Sequence, residues 1–456
     1  MTATARLAEF VTKTTRANVP GEALAQVRLA ALDTVGVVLA GAGEPVARVI
    51  REVARAEGGT PLCTVLGTSL RTSTTWAALA NGAAGHAHDF DDTSFALMGH
   101  PSVPLLAATL AAGEAAMADG ATVVLGYVVG FEVDAALGAA LNPAHYQRGW
   151  HATSTIGTLG CAAAAARVLA LDPVQTGHAL GLAASLASGV KENFGSMAKP
   201  YHAGHAARNG VLAALLAREG LTAAPAAVDG AQGFAAASGG AAPDRLDEAL
   251  EGLGRRWHLV ETGIAVKPYP SCALTHAAVD ALLDLRARHG FEAGDVADIE
   301  VGVNHVTPGV LLYAEPATAL QRKFSMQFCA AAAAAEGRLD LASFEDGEVR
   351  DPGVRALMDR VRMVVDPSLP DGLERHAWSR VQVRLADGRV LASPARGASG
   401  HHDRPLTPDA LRAKFLGCVA GVLQRGEAEA VAGLVDRLDE IPDIRLLTAR
   451  LAADIA

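Results

Sequence analysis

Apolar residues recur at helical spacing through the first half of the chain. Segments 21–40, 103–118, 123–141, 157–171 and 206–219 are rich in Ala and Leu, and their periodicity predicts helices. Small side chains let such helices pack closely, as a core apolar on several sides requires. The Ala- and Gly-rich stretch 224–242 has weak periodicity and predicts a short helix with loops. The uncharged run 173–190 is about long enough to span a bilayer. It carries Gln175, Thr176, His178 and two serines, so a buried helix with loops is expected instead.

The period then changes. Ile299, Val301 and Val303 alternate within 297–306, predicting a strand. Val381, Val383 and Leu385, then Asp387-Gly388, then Val390 and Ala392, predict a hairpin with a two-residue turn. Residues 363–365 form a further short strand candidate, and helical spacing returns at 329–336 and from 407 onward. The expected fold is mainly α with an inserted α/β domain. Residues 1–264 and 405–456 would form the helical domain and 265–404 the insertion, with no internal repeat.

Composition narrows the function. The chain has 456 residues, half of them hydrophobic and 19% charged, which excludes general disorder. A net charge of −10 without a basic run argues against nucleic acid and anionic membranes as partners. The five cysteines are scattered with no CxxC, which fits a reducing cytoplasm and predicts neither disulfides nor a zinc or iron–sulfur centre. Residues 1–10 carry Arg6 and Glu9 where a signal peptide needs an apolar block. A cytoplasmic enzyme is expected.

The densest polar cluster is 81–93, with His86, His88, Asp89, Asp91, Asp92 and Thr93, followed by His100-Pro101-Ser102. So many ionisable groups inside an Ala-rich region are costly to bury without a purpose. As helix-end caps, Asp and Thr would be unremarkable there. Two metal motifs compete: the His…His-Asp pair of HD phosphohydrolases and the DDxxD of terpenoid synthases. The run Asp89-Phe90-Asp91-Asp92-Thr93 lacks the spacing of the second, and no metal is expected. A second cluster runs from Tyr146 through Arg148 to His151 and Thr153, where a polar turn at a helix start offers an anion site. Only six of the 39 basic residues are Lys, and Lys199 and Lys267 each precede a proline in a turn-rich, half-apolar stretch. That setting suits a partly desolvated ammonium facing an anionic substrate across a cleft. No nucleophile elbow, phosphate loop, dinucleotide fingerprint or HExxH is present. Acid–base chemistry on a small carboxylate, without a cofactor, is what these residues allow.

In this order, the motifs 81–93 with His100-Pro101-Ser102, Gly149-Trp150-His151, Lys199-Pro200 through Arg208, and 267–276 resemble the MmgE/PrpD family of 2-methylcitrate dehydratases, cis-aconitate decarboxylases and iminodisuccinate epimerases. The resemblance implies a helical domain from both termini, an α/β lid, a homodimer and an active site in the cleft between the domains. It places the site on Asp89, Thr93, His100, His151, Lys199 and Lys267. The lid tyrosine important to cis-aconitate decarboxylation has no counterpart, and His305 is the nearest ionisable residue. The expected activity is therefore a dehydratase of a 2-methylcitrate-like hydroxy-polycarboxylate. His151 or Lys199 would be the base, and His100 oriented by Asp89 the acid. Lys267 and Arg148 would hold carboxylates, with Thr93, Tyr146 and Ser271 also binding substrate. The alternatives are an epimerase of an iminodisuccinate-like dicarboxylate, a cis-aconitate-type decarboxylase and a non-catalytic dicarboxylate-binding homologue.

Overall fold

The apolar runs of the first half fold as α1 (Gly21–Gly41), α2 (Thr74–His86), α3 (Ser102–Ala116), α4 (Gly120–Leu141), α5 (Ala152–Val168) and α6 (Ala198–Arg218). The computed structural model describes residues 1–239, 243–370 and 377–452. Residues 240–242 and 453–456, the ends of two expected segments, and 371–376 of the expected insertion lie outside the described residues. By length and hydropathy α1 and α4 would each cross a membrane, but 72% and 94% of their apolar windows are buried in the fold. They are core helices. The uncharged run contains the helix Pro173–Leu186, with Ala179 and Leu180 buried.

Helix α6 starts earlier than periodicity predicts, so Lys199 lies in its first turn and not in an open turn. Pro200 is compatible with that position because first-turn N–H groups have no intrahelical acceptor. Small residues then set the packing of α6. A Cβ on Gly82 of α2 would meet Gly204 Cα at 2.6 Å, and one on Gly204 would meet the Leu79 carbonyl oxygen at 2.2 Å. Only glycine permits this crossing, which brings the end of α2 next to the start of α6.

The second half supplies α7 (Ala273–His289), β1 (Val296–Val303), α8 (Met326–Glu336), β2 (Val361–Val365), β3 (Ser379–Leu385) and β4 (Val390–Arg396). The sheet order is β2-β1-β3-β4, with β1 parallel to β2 and antiparallel to β3. Burial alternates along β3, the pattern of a sheet with one covered face, and α7 and α8 pack on that sheet. The hairpin loop is longer than the expected two residues. It spans 386–389, closed by Gly388 N–H donating to Leu385 O and Leu385 N–H to Arg389 O. Of Asp387 and Gly388 only the glycine takes a positive φ, +91°, whereas a two-residue type I′ turn needs both. The other strand ladder among the described residues is the separate pair Cys63–Thr64 and Arg71–Thr72.

Two apolar cores result. One gathers residues from Ala3 to Val266 and again from Leu411 to Leu451; the other runs from Leu274 to Leu391 and takes in Met98, Tyr146 and Phe194. Helix α9 (Pro408–Val419) returns to pack on α1. There Lys414 Nζ lies 2.5 Å from Asp33 Oδ1 and donates to the Phe90 carbonyl at 2.8 Å. Burial pushes the Asp33 carboxyl up, and Lys414 opposes it. Lys414→Met leaves that carboxylate buried and unpaired, so it is expected to cost about 3–5 kcal/mol in urea unfolding. A loss under about 1 kcal/mol would mean the pair is not ionic.

Candidate active site

The loop after α2 turns on Asp89, whose φ of +52° is left-handed, a conformation that Asp tolerates better than most residues. Four residues on, Thr93 and Ala265 exchange backbone hydrogen bonds of 2.9 and 2.8 Å. That bridge carries Lys267 over Asp89. Lys267 Nζ donates to the Asp89 carbonyl at 2.7 Å and to Oδ1 at 2.8 Å. From α6, Lys199 Nζ donates to the same Oδ1 at 2.9 Å and to His86 Nε2 at 2.9 Å. An ammonium has three N–H bonds, so each lysine keeps one beyond these contacts. Phe194 and Phe324 flank Lys199 Nζ, with ring centroids at 5.3 and 5.1 Å. Asp89 Oδ2 and Thr93 Oγ1 are buried and have no hydrogen-bond partner among the described residues.

Behind the lysines, a carboxylate fixes two imidazoles. His86 Nδ1 donates to Asp91 Oδ1 at 2.8 Å, and His100 Nδ1 lies 3.0 Å from the Asp92 carbonyl oxygen and 3.3 Å from Asp91 Oδ2. A carbonyl only accepts, so His100 carries its proton on Nδ1. When neutral, His100 therefore has its lone pair on Nε2, 3.6 Å from Asp89 Oδ1. Burial lowers both histidines against the pull of Asp91, His86 to about 4. Burial would raise Asp89, but Lys199 and Lys267 hold it well below the carboxylate range; His86 and His100 do the same for Asp91. Asp92 differs. Burial and nearby Asp33 push it up to about 8, and it bonds Ser102 Oγ and accepts from Ser102 N–H at the start of α3. The capping reading of the acidic run holds for this residue.

His151 opens α5, its Nδ1 3.0 Å from His202 Nδ1. With Asp89, Thr93, His100, Tyr146, Lys199 and Lys267 it lines one cleft of about 80 Å³. Met98, Leu274, Val310 and the two phenylalanines add apolar lining to the same cleft. Seven of the nine expected site residues thus converge, and the two lysines meet on one oxygen atom.

Arg148 and Ser271 do not line the cleft. Arg148 follows the short helix Ala144–Gln147, and two residues of helix turn its exposed side chain about 200° from Tyr146, which points inward. Ser271 Oγ is buried 2.9 Å from Thr275 Oγ1 at the entry to α7. Asp89 is also not the carboxylate that orients a histidine: Asp91 has that position, because the left-handed turn points Asp89 at the lysines. His86 and Asp91 were not singled out within the 81–93 motif. Their signal was the coincidence of a helix end with an acidic run, which becomes informative only once α2 and α6 cross. The expectation that the C-terminal half brings no tyrosine to the site is corrected: Tyr313, eight residues beyond His305, donates its hydroxyl to the carbonyl of the cleft residue Phe194 at 2.7 Å.

His86, Asp89, Asp91 and His100 bring one possible ligand atom each within 4.8 Å of one another. Lys199 already spans His86 Nε2 and Asp89 Oδ1, so a metal ion using those atoms would have to displace an ammonium. The donor set fits a lysine better than a metal.

The MmgE/PrpD N-terminal domain model matches residues 5–246, and the MmgE/PrpD C-terminal domain model matches residues 269–440. The cis-aconitate decarboxylase of Mus musculus is 29% identical over 432 residues, covering 92% of this chain and 87% of the relative. That of Aspergillus terreus is 24% identical over 449 residues, 94% of this chain and 91% of the relative. The 2-methylcitrate dehydratase of Cupriavidus necator is 30% identical over 131 residues, 27% of each chain.

Proposed function

The chain belongs to the MmgE/PrpD family, and on that premise we propose that it is a cofactor-independent carbon–oxygen lyase, a dehydratase of a 2-methylcitrate-like hydroxy-polycarboxylate. The observation that carries this reading is the pair of lysines on Asp89 Oδ1, each with an N–H to spare, beside the His100 lone pair. The spare N–H of Lys267 holds a substrate carboxylate, and the spare N–H of Lys199 faces the leaving hydroxyl. The acid and base roles reverse the expected ones, because the Asp92 carbonyl accepts from the Nδ1–H of His100 and leaves Nε2 a lone pair: His100 Nε2 removes the proton from the carbon adjoining the carboxylate, with His151 as the second base on the cleft wall. Electron density moves into the new C=C bond as the C–O bond breaks. The departing hydroxide takes a proton from Lys199 and leaves as water. With neutral histidines, Lys199, Lys267, Asp89 and Asp91 sum to no net charge, so a bound polycarboxylate raises the basicity of His100. The apolar lining of Met98, Leu274 and Val310 suits the methyl and methylene part of such a substrate.

A decarboxylase is the second reading, favoured by the cis-aconitate decarboxylases that match over more than nine-tenths of this chain. The same reading gains from Tyr313, a tyrosine of the C-terminal half whose hydroxyl donates to the carbonyl of the cleft residue Phe194 at 2.7 Å. An epimerase would use the same base without an acid for a leaving group.

Reaction in D₂O separates these. With 2-methylcitrate, a new chromophore in the near ultraviolet is expected; from the unsaturated acid, deuterium enters the hydrated product. CO₂ release from cis-aconitate would replace this reading with the decarboxylase. Exchange and inversion without a chromophore would replace it with the epimerase. Saturable binding without exchange would replace it with a non-catalytic binder.

A further inference from the structure

His151 and His202 face each other through like atoms. Their Nδ1 nitrogens are 3.0 Å apart, and both rings are buried, at 2% and 5% exposure. Such a contact is a hydrogen bond only when one Nδ1 carries the proton and the other the lone pair. Two neutral histidines must then be opposite tautomers. If His202 donates, His151 carries its one N–H proton on Nε2 and can only donate to the cleft. If His151 donates, its Nε2 has a lone pair and can act as a base, while His202 carries its proton on Nε2.

We propose that His202 is a positioning residue that sets the tautomer of His151 and removes the proton that His151 takes from the substrate. This rests on the carbanion chemistry proposed above and extends it to a residue outside the cleft. When His151 Nε2 takes a proton from carbon, the Nδ1 proton moves 3.0 Å to His202 Nδ1, and His202 releases its Nε2 proton to solvent. His151 is then left neutral with its proton on Nε2; the base is restored when that Nε2 proton passes to water entering the cleft after product leaves, while the Nδ1 proton returns from His202 and His202 takes up a proton at Nε2 from solvent. One proton leaves the substrate and one reaches solvent, and neither ring ends charged.

The surroundings support this direction of flow. His202 lies one turn along α6 from Lys199, so α6 places a cation at the cleft and a relay behind it. Lys199, His86 and His100 face the pair from the cleft side, and burial with these neighbours keeps both rings neutral, His202 near 4. On the outer side His205, one further turn along α6, bonds Ser188 Oγ at 3.0 Å where the helix is exposed. His205 is thus the titratable neighbour of His202 on the side away from the cleft.

Two measurements test the proposal. In [¹⁵N]histidine-labelled protein, NMR should find His151 and His202 in opposite tautomers with one low-field proton between their Nδ1 atoms, lost in His202→Phe. His202→Asn supplies an acceptor oxygen, so His151 should keep its Nδ1 proton while the relay is gone. With 2-methylcitrate or cis-aconitate in D₂O, and in a His100→Gln background where His151 is the base that remains, the ratio of substrate-proton exchange to turnover should fall about tenfold or more on adding His202→Asn, as expected for loss of a proton-transfer partner. His202→Gln, which also lacks a ring to relay through, should behave as Asn does. Identical tautomers with no shared proton overturn the proposal, as does an exchange ratio unchanged on adding His202→Asn in that background. If wild-type protein turns over neither acid, the lyase reading fails at that point, and the tautomer measurement still decides whether His202 sets His151.

Discussion

Lys199→Met is expected to lower kcat/KM by about two to four orders of magnitude, and Lys267→Met to do the same. Each lysine donates to Asp89 Oδ1 and keeps one N–H for the substrate, so each variant removes one of the two cations that meet it. Lys199→Met removes the proton donor for the leaving hydroxyl as well, so its loss should fall mainly on kcat. Lys267→Met should also raise KM. Stability should change little, by no more than about 1–2 kcal/mol in urea unfolding, because Asp89 retains the other ammonium. That contrasts with Lys414→Met, which strips Asp33 of its partner. Steady-state kinetics on the three candidate substrates provide the check. Wild-type kinetics in either variant would make that lysine a structural ion pair and remove the feature on which the proposed function rests.

The difference between these two kinds of lysine was not visible in the sequence, although both sit in polar-poor surroundings. What was visible is what local pattern determines. Ala- and Leu-rich periodicity located the core helices, and period-two alternation located β1 and the β3–β4 hairpin. The cleft residues stood out because His, Asp and Lys are costly to bury, and Asp89, His100, His151, Lys199 and Lys267 do share one cleft. What could not be read is what depends on approach over long chain distances. The Gly82–Gly204 crossing joins residues far apart in the chain and puts His86 against Lys199. The left-handed turn at Asp89 gives the histidines to Asp91, a choice among three neighbouring acids that spacing cannot make. Arg148 failed for a local reason: its short helix turns it away from the cleft that Tyr146 enters. Lys199-Pro200 resembled a turn because proline usually breaks a helix, yet in a first turn it does not.

His100→Gln should cost about two to four orders of magnitude in turnover and should change the shape of the pH profile. The argument starts from the Asp92 carbonyl, which accepts from Nδ1 and so leaves the lone pair on Nε2 in the neutral ring. Burial, with Lys199 and Lys267 nearby, lowers the His100 pKa below 6.5 despite Asp91. A base with a depressed pKa remains unprotonated as pH falls through neutrality. Hence kcat/KM should stay flat from pH 8 down past about 6.5 and decline only below that, as the free enzyme takes up a proton at Nε2. Gln keeps an amide near the same place but cannot take the proton, so the residual activity of His100→Gln should lose this acidic limb. The kcat profile reports the bound state, where substrate carboxylates favour the imidazolium, so its limb should lie at higher pH than that of kcat/KM. His151→Gln provides the control: it removes the second histidine and should leave the His100 limb in place. If the limb persists in His100→Gln and vanishes in His151→Gln, then His151 is the principal base and His100 serves only to hold the Asp89 loop.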